Sequence, residues 1–148
     1  MYERILIATD GSDLAAKGLR HGLALAAALR VPVIVLTVTG PWMPAFDDAL
    51  ALSADPAMQH EYREGCARSA QRILEDAVGQ AAAAGVACEV EHVPDGFPAD
   101  AIVQAATRHG AGLVVMASHG RHGLGKVLLG SQTEAVLAHC TVPVLLVR

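Results

Sequence analysis

The stretch from Ser118 to Ser131, SHGRHGLGKVLLGS, combines residue types that bind phosphate groups. Its glycines let backbone N–H groups approach an anion closely, and its serines and Lys126 add polar and positive groups. Gly120-x4-Gly125-Lys126 has P-loop spacing, but Val127 stands where the Ser or Thr that holds Mg²⁺ should follow. A G-x-G-x-x-G fingerprint is absent as well. The stretch therefore predicts an anion-binding loop that is neither a P-loop nor a dinucleotide fingerprint.

The end of this stretch, Gly130-Ser131, is predicted to open a helix whose first N–H groups could face an anion. Residues 101–148 also hold four basic residues against one acidic residue, which favours a negatively charged ligand. A second interpretation is purely local, since Ser131-x-x-Glu134 is a capping box. For Ser131 alone the cap is favoured, and for the whole set the phosphate site is favoured.

A second group that could do chemistry is Asp10, which follows the apolar run ILIA at residues 5–8. Ligands of open α/β sheets bind beyond the carboxyl ends of the strands. Asp10 and the 118–131 stretch therefore share one crevice only if the first and fourth strands are neighbours. Asp10-Gly11-Ser12 is equally compatible with a simple turn and helix cap.

The elements that must position these groups alternate between strand and helix. Apolar runs predict strands at 5–8, 33–39, 86–93, 113–116 and 142–147, and helical periodicity predicts helices at 13–29, 58–84, 98–109 and 131–139. Ser12 is the expected cap of the first helix, whose apolar face is expected to contain leucines: Leu14, Leu19, Leu23, Leu25 and Leu29. Residues 40–57 are expected to form a long loop. The pattern predicts one α/β domain over residues 1–148, with an open parallel five-stranded sheet covered by helices on both faces.

Composition excludes several classes of protein. Aromatic residues are 3% of the chain and the net charge is −4, which argues against binding of nucleic acid. No apolar run reaches the length of a membrane span, and the start of the chain lacks the pattern of a signal peptide. The three cysteines form no C-x-x-C pair, which is typical of reduced thiols. A cytoplasmic, unprocessed protein is expected.

Catalytic machinery is not evident in the sequence. His119-x2-His122 could be half of a metal site, but no third ligand has suitable spacing. Asp10 lacks the second acidic residue of a phosphoacceptor site, and no nucleophile with its base can be detected. We therefore expect no protein-built metal site and slow or absent turnover.

The whole chain resembles the universal stress proteins, most clearly in ILIATDGS, GFPADAIVQAA and VVMASHGRHGLGKVLLGSQTEAVLAHCTVPVLLVR. The nucleotide motif of that family, G-x2-G-x9-G-(S/T), reads here Ala117-x2-Gly120-x9-Gly130-Ser131. The resemblance implies strand order 3-2-1-4-5, a Rossmann-like, adenine-nucleotide alpha-hydrolase-like fold, and binding of ATP or a related adenine nucleotide with Mg or Mn. It implies contacts with the adenosine part, the ribose and the phosphates from these residues: Ala8, Thr9, Asp10, Val38, Ala117, Ser118, Gly120, Gly130, Ser131 and Gln132.

The departure from the family motif is Ala117, whose methyl group could crowd the ribose. This leaves two other functions open: an interaction protein of the same fold that binds no nucleotide, or a slow ATPase with His119 or His122 as base. The uncharged apolar strand at 142–147 is expected to be a sheet edge that pairs with its own copy in a homodimer. A regulatory protein partner, still to be identified, is expected as well.

Overall fold

The structure, a computed structural model, describes residues 1–43, 55–118 and 130–148. The elements follow one another as β1 (Ile5–Ala8), α1 (Asp13–Leu29), β2 (Val33–Val38), α2 (Pro56–Ala83), β3 (Cys88–Val93), α3 (Pro98–Arg108), β4 (Leu113–Ala117), α4 (Ser131–His139) and β5 (Val144–Val147). The five strands form one parallel sheet in the order β3-β2-β1-β4-β5. This confirms the predicted sheet and makes β1 and β4 neighbours.

Helices cover both faces of the sheet because the central strands are apolar on both sides. On one face, Ile5, Ile7 and Val115 pack with Leu19 and Leu23 of α1, and α2 completes that cluster. On the other face, α3 and α4 pack against the alternate strand residues. The second cluster contains residues of the strands and of both helices: Leu6, Ile34, Leu36, Ala99, Ile102, Ala105, Val114, Met116 and Val136. Central strands buried on both faces are typical of a parallel sheet.

The buried face of α1 differs from the predicted leucine face. Its buried residues are mostly small: Ala15, Gly18, Leu19, Gly22, Leu23 and Ala26. Leu29 is 44% exposed, and Leu14 and Leu25 are only half-buried. Close approach explains the difference, since a Cβ atom built on Gly18 would lie 3.5 Å from the backbone nitrogen of Ala117. Small residues thus allow α1 to pack directly against β4.

Several boundaries also differ from the prediction. Helix α2 begins at Pro56 because the Asp55 carboxylate caps it, accepting a hydrogen bond from the Ala57 N–H at 2.9 Å. Strand β3 begins at Cys88 because the Val86 N–H still closes the end of α2, donating to the Ala81 carbonyl at 3.0 Å. At the other edge, β5 begins at Val144, two residues later than predicted.

Nothing in the described part of the chain contradicts the predicted absence of disulfides and membrane spans. Cys66, Cys88 and Cys140 are free thiols. Among the described helices, none is both long and apolar enough to cross a membrane.

Candidate functional site

A cavity of about 180 Å³ opens at the carboxyl ends of β1, β2 and β4, between the two neighbouring strands that the sequence analysis singled out. The cavity is lined by residues of six elements and the loop after β1: Ala8, Thr9, Asp10, Ala15, Leu36, Val38, Pro98, Ile102, Met116, Ala117, Gln132 and Thr133. It is smaller than the roughly 300–1,000 Å³ of a typical pocket for a drug-sized ligand, so it accommodates one part of a larger ligand.

Hydrogen bonds to β2 fix the backbone of Thr9, the residue that directly follows β1. The buried Thr37 hydroxyl donates to the Thr9 carbonyl at 2.7 Å, and the Thr9 N–H donates to the Leu36 carbonyl at 2.9 Å. These bonds hold the start of the following turn against β2. The position of Asp10 therefore follows from the sheet itself.

Asp10 forms the predicted turn. Its Oδ1 accepts a hydrogen bond from the Ser12 N–H at 2.9 Å, and the Ser12 hydroxyl caps α1 by accepting from the Ala15 N–H. Gly11 has a φ of +76°, and a Cβ atom there would come within 2.8 Å of Ile73. The turn interpretation is thus confirmed, while Asp10 also lines the cavity, so a ligand contact from its carboxylate stays a prediction.

Ala117 occupies the last position of β4, paired with Val147 of β5. Its backbone is extended. Among the described non-glycine residues, only Arg30 and Asp95 have a positive φ. The alanine therefore introduces no backbone strain at this position. Its side chain is 8% exposed and lies in the cavity wall, so the methyl group takes up space without distorting the strand.

The N-terminus of α4 corrects the capping interpretation of Ser131. Gly130 is the cap residue, with φ −61° and ψ 148°, and its carbonyl accepts the first helical hydrogen bond from Glu134 at 3.0 Å. Ser131 is the first residue of the helix and therefore does not occupy the cap position. The capping box is therefore not formed. The backbone N–H groups of Ser131, Gln132 and Thr133 precede the first helical bond and lack acceptors within the helix.

Helix α4 is joined to the end of β4 by a buried hydrogen bond. The Thr133 hydroxyl donates to the Ser118 carbonyl at 3.0 Å, and both side chains are almost fully buried. The Ser118 N–H in turn donates to the Val147 carbonyl at 3.0 Å. A Cβ atom built on Gly130 would lie 3.8 Å from the same Ser118 carbonyl oxygen, in ordinary contact. The helix start is therefore held beside the end of β4.

The structure brings most of the sequence-predicted residues together. Six of them line the cavity: Ala8, Thr9, Asp10, Val38, Ala117 and Gln132. Ser118, Gly130 and Ser131 lie at the adjoining junction of β4 and α4. Gly120, His119 and His122 lie outside the described residues. The contact of each residue with a nucleotide stays a prediction.

Other residues of the cavity wall were missed by the sequence analysis: Ala15, Leu36, Pro98, Ile102, Met116 and Thr133. A signal existed for two of them, because Leu36 lies two residues before Val38 on the same face of β2, and Ile102 lies one helical turn after Pro98. The others come from separate elements, and only the fold brings them to the cavity.

Among the described residues, three titratable groups around β3 and α2 have clearly shifted pKa values. Burial lowers the pKa of His92 and raises the pKa of Cys88. A hydrogen bond with Cys66 is the main cause that raises the pKa of Tyr62. In the part of the chain that the structure describes, no three His, Cys, Asp or Glu side chains are grouped as metal ligands.

Comparison with known proteins agrees with this architecture. Universal stress protein YxiE of Bacillus subtilis is 32% identical over 151 residues, and the alignment spans 100% of both chains. The solved structure of MJ0577 from Methanocaldococcus jannaschii matches with a TM-score of 0.82 at 28% identity, covering 99% of this chain and 96% of that chain. The crystal structure of a universal stress protein in complex with cAMP matches with a TM-score of 0.73 at 26% identity, covering 99% and 97% of the two chains.

The open 3-2-1-4-5 parallel sheet is the Rossmann-like, adenine-nucleotide alpha-hydrolase-like α/β fold of these solved structures. The sequence model of the Universal stress protein family matches residues 1–148. The chain belongs to the universal stress protein family, which confirms the resemblance seen in the sequence.

Proposed function

We propose that this chain, as one domain over residues 1–148, binds an adenine nucleotide, with ATP as the ligand, and acts as a stress-linked sensor or regulator. The observation that carries the proposal is the cavity between the ends of β1 and β4, with the N-terminus of α4 beside it. An apolar cavity beside N–H groups that lack acceptors within their helix suits a molecule with a flat apolar end and an anionic end.

The cavity would receive the adenosine part. Its walls are largely aliphatic, with Val38, Pro98 and Met116 among them, and Asp10 and Gln132 supply polar groups. A volume of about 180 Å³ suits part of a nucleotide rather than a whole one. The phosphates would therefore extend out of the cavity.

The phosphates would lie at the start of α4. The N–H groups of its first turn, which lack acceptors within the helix, and the positive end of the helix dipole favour a negative charge there. Ser131 is exposed at the first helical position, so its hydroxyl can donate to a phosphate oxygen. Gly120 of the family motif would complete this site from the segment outside the described residues.

Comparison supports the ligand class. A universal stress protein of similar fold, 26% identical to this chain, has been solved in complex with cAMP, an adenine nucleotide. Mg²⁺ or Mn²⁺ would be held mainly by the phosphates, because no three His, Cys, Asp or Glu side chains of the described residues lie together as metal ligands. The role of the ion would be to shield the phosphate charge.

A regulatory role is favoured over rapid catalysis because no nucleophile with its base can be detected in the sequence. Binding would change the surface near the crevice and so alter the affinity for a protein partner. The alternative of an interaction protein without nucleotide is favoured by one feature, the Ala117 methyl group in the cavity wall.

Mass analysis of small molecules released from the denatured, freshly purified protein separates these two functions. We expect an adenine nucleotide in the released fraction, in amounts that follow the protein concentration. Absence of nucleotide from the preparation, together with no binding of added ATP, would favour the interaction protein.

A further inference from the structure

Strand β3 forms the edge of the sheet opposite to β5. The carbonyls of Ala87 and Val93 accept hydrogen bonds from the N–H groups of Val33 and Thr39, at 2.9 and 3.0 Å, so the backbone groups in this row face β2. The residues that alternate with this row turn their backbone N–H and C=O groups outward: Cys88, Val90 and His92. No strand of the described residues pairs with the outward row. It is therefore a template for one further strand.

An apolar groove of about 410 Å³ lies beside this edge, between β3 and α2. Among the described residues, only these two elements form its wall: Ala67, Gln71, Leu74, Glu75 and Val78 of α2, and Val90 and His92 of β3. Val78 and Val90 are 41% and 43% exposed. A strand added to β3 would point every second side chain into this groove, because side chains alternate between the two faces of a sheet. Apolar side chains at those positions would cover both valines.

The groove wall has one charged side chain among the described residues that form it. Glu75 is exposed, and its Oε1 accepts a hydrogen bond from the Gln71 amide at 2.7 Å. Burial lowers the pKa of His92, so its imidazole is uncharged at neutral pH. The groove therefore accepts apolar side chains and repels acidic ones.

The opposite face of β3 carries Glu89 and Glu91, which alternate with the residues of the groove. Glu91 is only 25% exposed and forms ion pairs with Arg108 and His109. Glu89 is 62% exposed, and its ion pair with Arg4 has an N–O distance of 3.5 Å. Glu89 is thus the more accessible carboxylate, and a basic residue on this face of an added strand would meet it.

These two glutamates disfavour a second copy of this chain as the added strand. Antiparallel pairing of two β3 strands centred on Val90 places Glu89 of each copy opposite Glu91 of the other. Centring the pair on residue 89 or 91 places two copies of the same glutamate opposite each other. Like charges directly opposite on neighbouring strands are destabilising. Strand β5 contains no charged residue, so the two edges of the sheet suit different partners.

We propose that the edge of β3, together with the groove beside α2, binds an extended segment of another protein with apolar residues at alternate positions and basic residues between them. Hydrogen bonds to the outward row of β3 would supply affinity, and the groove and Glu89 would supply specificity. The proposal goes beyond nucleotide binding and does not depend on it, because the groove and the crevice cavity share no described residue.

The probe that tests this surface is a fluorescein-labelled peptide of eight alternating valine and lysine residues. Its fluorescence anisotropy is measured while wild-type protein is added, without nucleotide. We expect saturable binding, and at least tenfold weaker binding of a peptide in which glutamate replaces every lysine. Absence of binding at millimolar protein, or equal binding of the two peptides, would overturn the proposal.

Methylation of alternate backbone nitrogens in the probe tests the main-chain pairing. Only one alternate set of peptide N–H groups can face β3. We therefore expect methylation of one set to weaken binding at least tenfold, and methylation of the other set to leave it within threefold. Equal affinity of the two methylated peptides would show that the backbone does not pair with β3.

Substitutions in the protein locate the peptide. We expect Glu89→Lys to bind the valine–lysine peptide at least tenfold more weakly, and the valine–glutamate peptide more tightly, than the wild type. Glu61→Lys is the matched control, because it makes the same charge change at an exposed residue of α2 outside the groove wall, and it should bind within twofold of the wild type. Equal affinities of these two variants would place the peptide elsewhere.

Val78→Gln tests the groove itself. The substitution makes the groove more polar and keeps a good helix former on α2, so the melting temperature should stay close to that of the wild type. We expect at least threefold weaker binding of the valine–lysine peptide. An unchanged affinity would show that the groove does not receive the side chains of the added strand.

Light scattering distinguishes a foreign segment from a second copy. We expect the wild-type protein to form nothing larger than a dimer, because β3 does not pair with itself. Larger assemblies that shrink on Val90→Pro, which removes an outward N–H, would make a second copy the occupant and overturn the proposal. Since the peptide is titrated without nucleotide, its failure to bind leaves the proposed function standing, and a failure to bind ATP leaves this surface standing.

Discussion

Ala117 and Gly130 border the crevice from two different elements. The backbone conformation at each position shows which residue types fit there. Ala117 is part of extended β4, where any residue fits the backbone and only side-chain volume matters. Gly130, with φ −61° and ψ 148°, also lies in a region open to every residue. The backbone conformation at Gly130 therefore does not require a glycine. If Gly130 is required, the reason is close approach of a ligand.

This makes Gly130→Val a sharp test at the residue scale. We expect the variant to fold, because among the described residues a Cβ atom at Gly130 meets only the Ser118 carbonyl oxygen, at 3.8 Å. We expect it to lose the stabilisation by ATP, because a branched side chain blocks the approach of phosphates to the backbone. The measurement is the melting temperature with and without ATP and Mg²⁺.

Gly40→Val is the matched control for this variant. A Cβ atom at Gly40 meets no atom within 4 Å, and Gly40 is not part of the cavity wall. The control should keep the response to ATP. If Gly130→Val keeps it too, the phosphates lie elsewhere.

At the scale of the elements, α1 depends on glycine for close packing, whereas α2 does not. A Cβ atom on Gly22 would come within 2.6 Å of Cδ1 and 2.8 Å of Cγ1 of Ile7, a fully buried residue of β1. Gly79 in α2 is exposed and has no atom within 4 Å of its Cβ position. The same substitution should therefore have opposite effects in the two helices.

We expect Gly22→Ala to destabilise the protein by about 1–3 kcal/mol through overpacking, and Gly79→Ala to stabilise it by about 0.5–1 kcal/mol through reduced backbone entropy. Thermal or denaturant unfolding measures both changes. Equal effects of the two substitutions would show that α1 does not approach the sheet as closely as the structure indicates.

The sequence predicted the elements well because buried parallel strands appear as continuous apolar runs, such as residues 5–8 and 113–116. The order of the strands followed from the resemblance to the universal stress proteins, because the apolar runs alone left the neighbours of β1 open. It did not predict that Gly130 rather than Ser131 caps α4, since both residue types occur at caps and only backbone geometry distinguishes them. In the candidate site, the residues within or next to the nucleotide motif could be predicted from the sequence. Pro98 and Thr133 could not, because packing of α3 and α4 against the sheet places them at the cavity.

At the scale of the whole molecule, β5 is an edge of the sheet that exposes apolar surface. Leu145 is 38% exposed, and the parallel ladder leaves one row of backbone groups unpaired. The carbonyls of Pro143 and Val147 accept hydrogen bonds from the N–H groups of Val114 and Ser118, in and just after β4. The backbone groups in this row of β5 therefore face β4. By the alternation of a strand, the N–H groups of Val144 and Leu146 face outward. We propose that this edge pairs with its own copy in a homodimer.

Proline substitution tests this assembly. Leu146→Pro should weaken the dimer, because it removes an outward N–H while leaving the bonds to β4 in place. Leu146→Ala loses the same leucine packing but keeps the N–H, and should remain a dimer. Leu145→Pro removes an inward donor and should lower the melting temperature. Light scattering at micromolar concentration measures the assembly, and a wild-type monomer there would refute the dimer.

The most direct test of the central claim, that the crevice binds an adenine nucleotide, is the melting temperature of the wild-type protein with ATP and Mg²⁺, compared with Mg²⁺ alone. A ligand at about 100 times its Kd stabilises the folded state by about 2.7 kcal/mol. For a chain of this size, that corresponds to a rise of about 5–10 °C, which we predict. No rise at millimolar ATP, in protein shown by mass analysis to carry no nucleotide already, would contradict the claim.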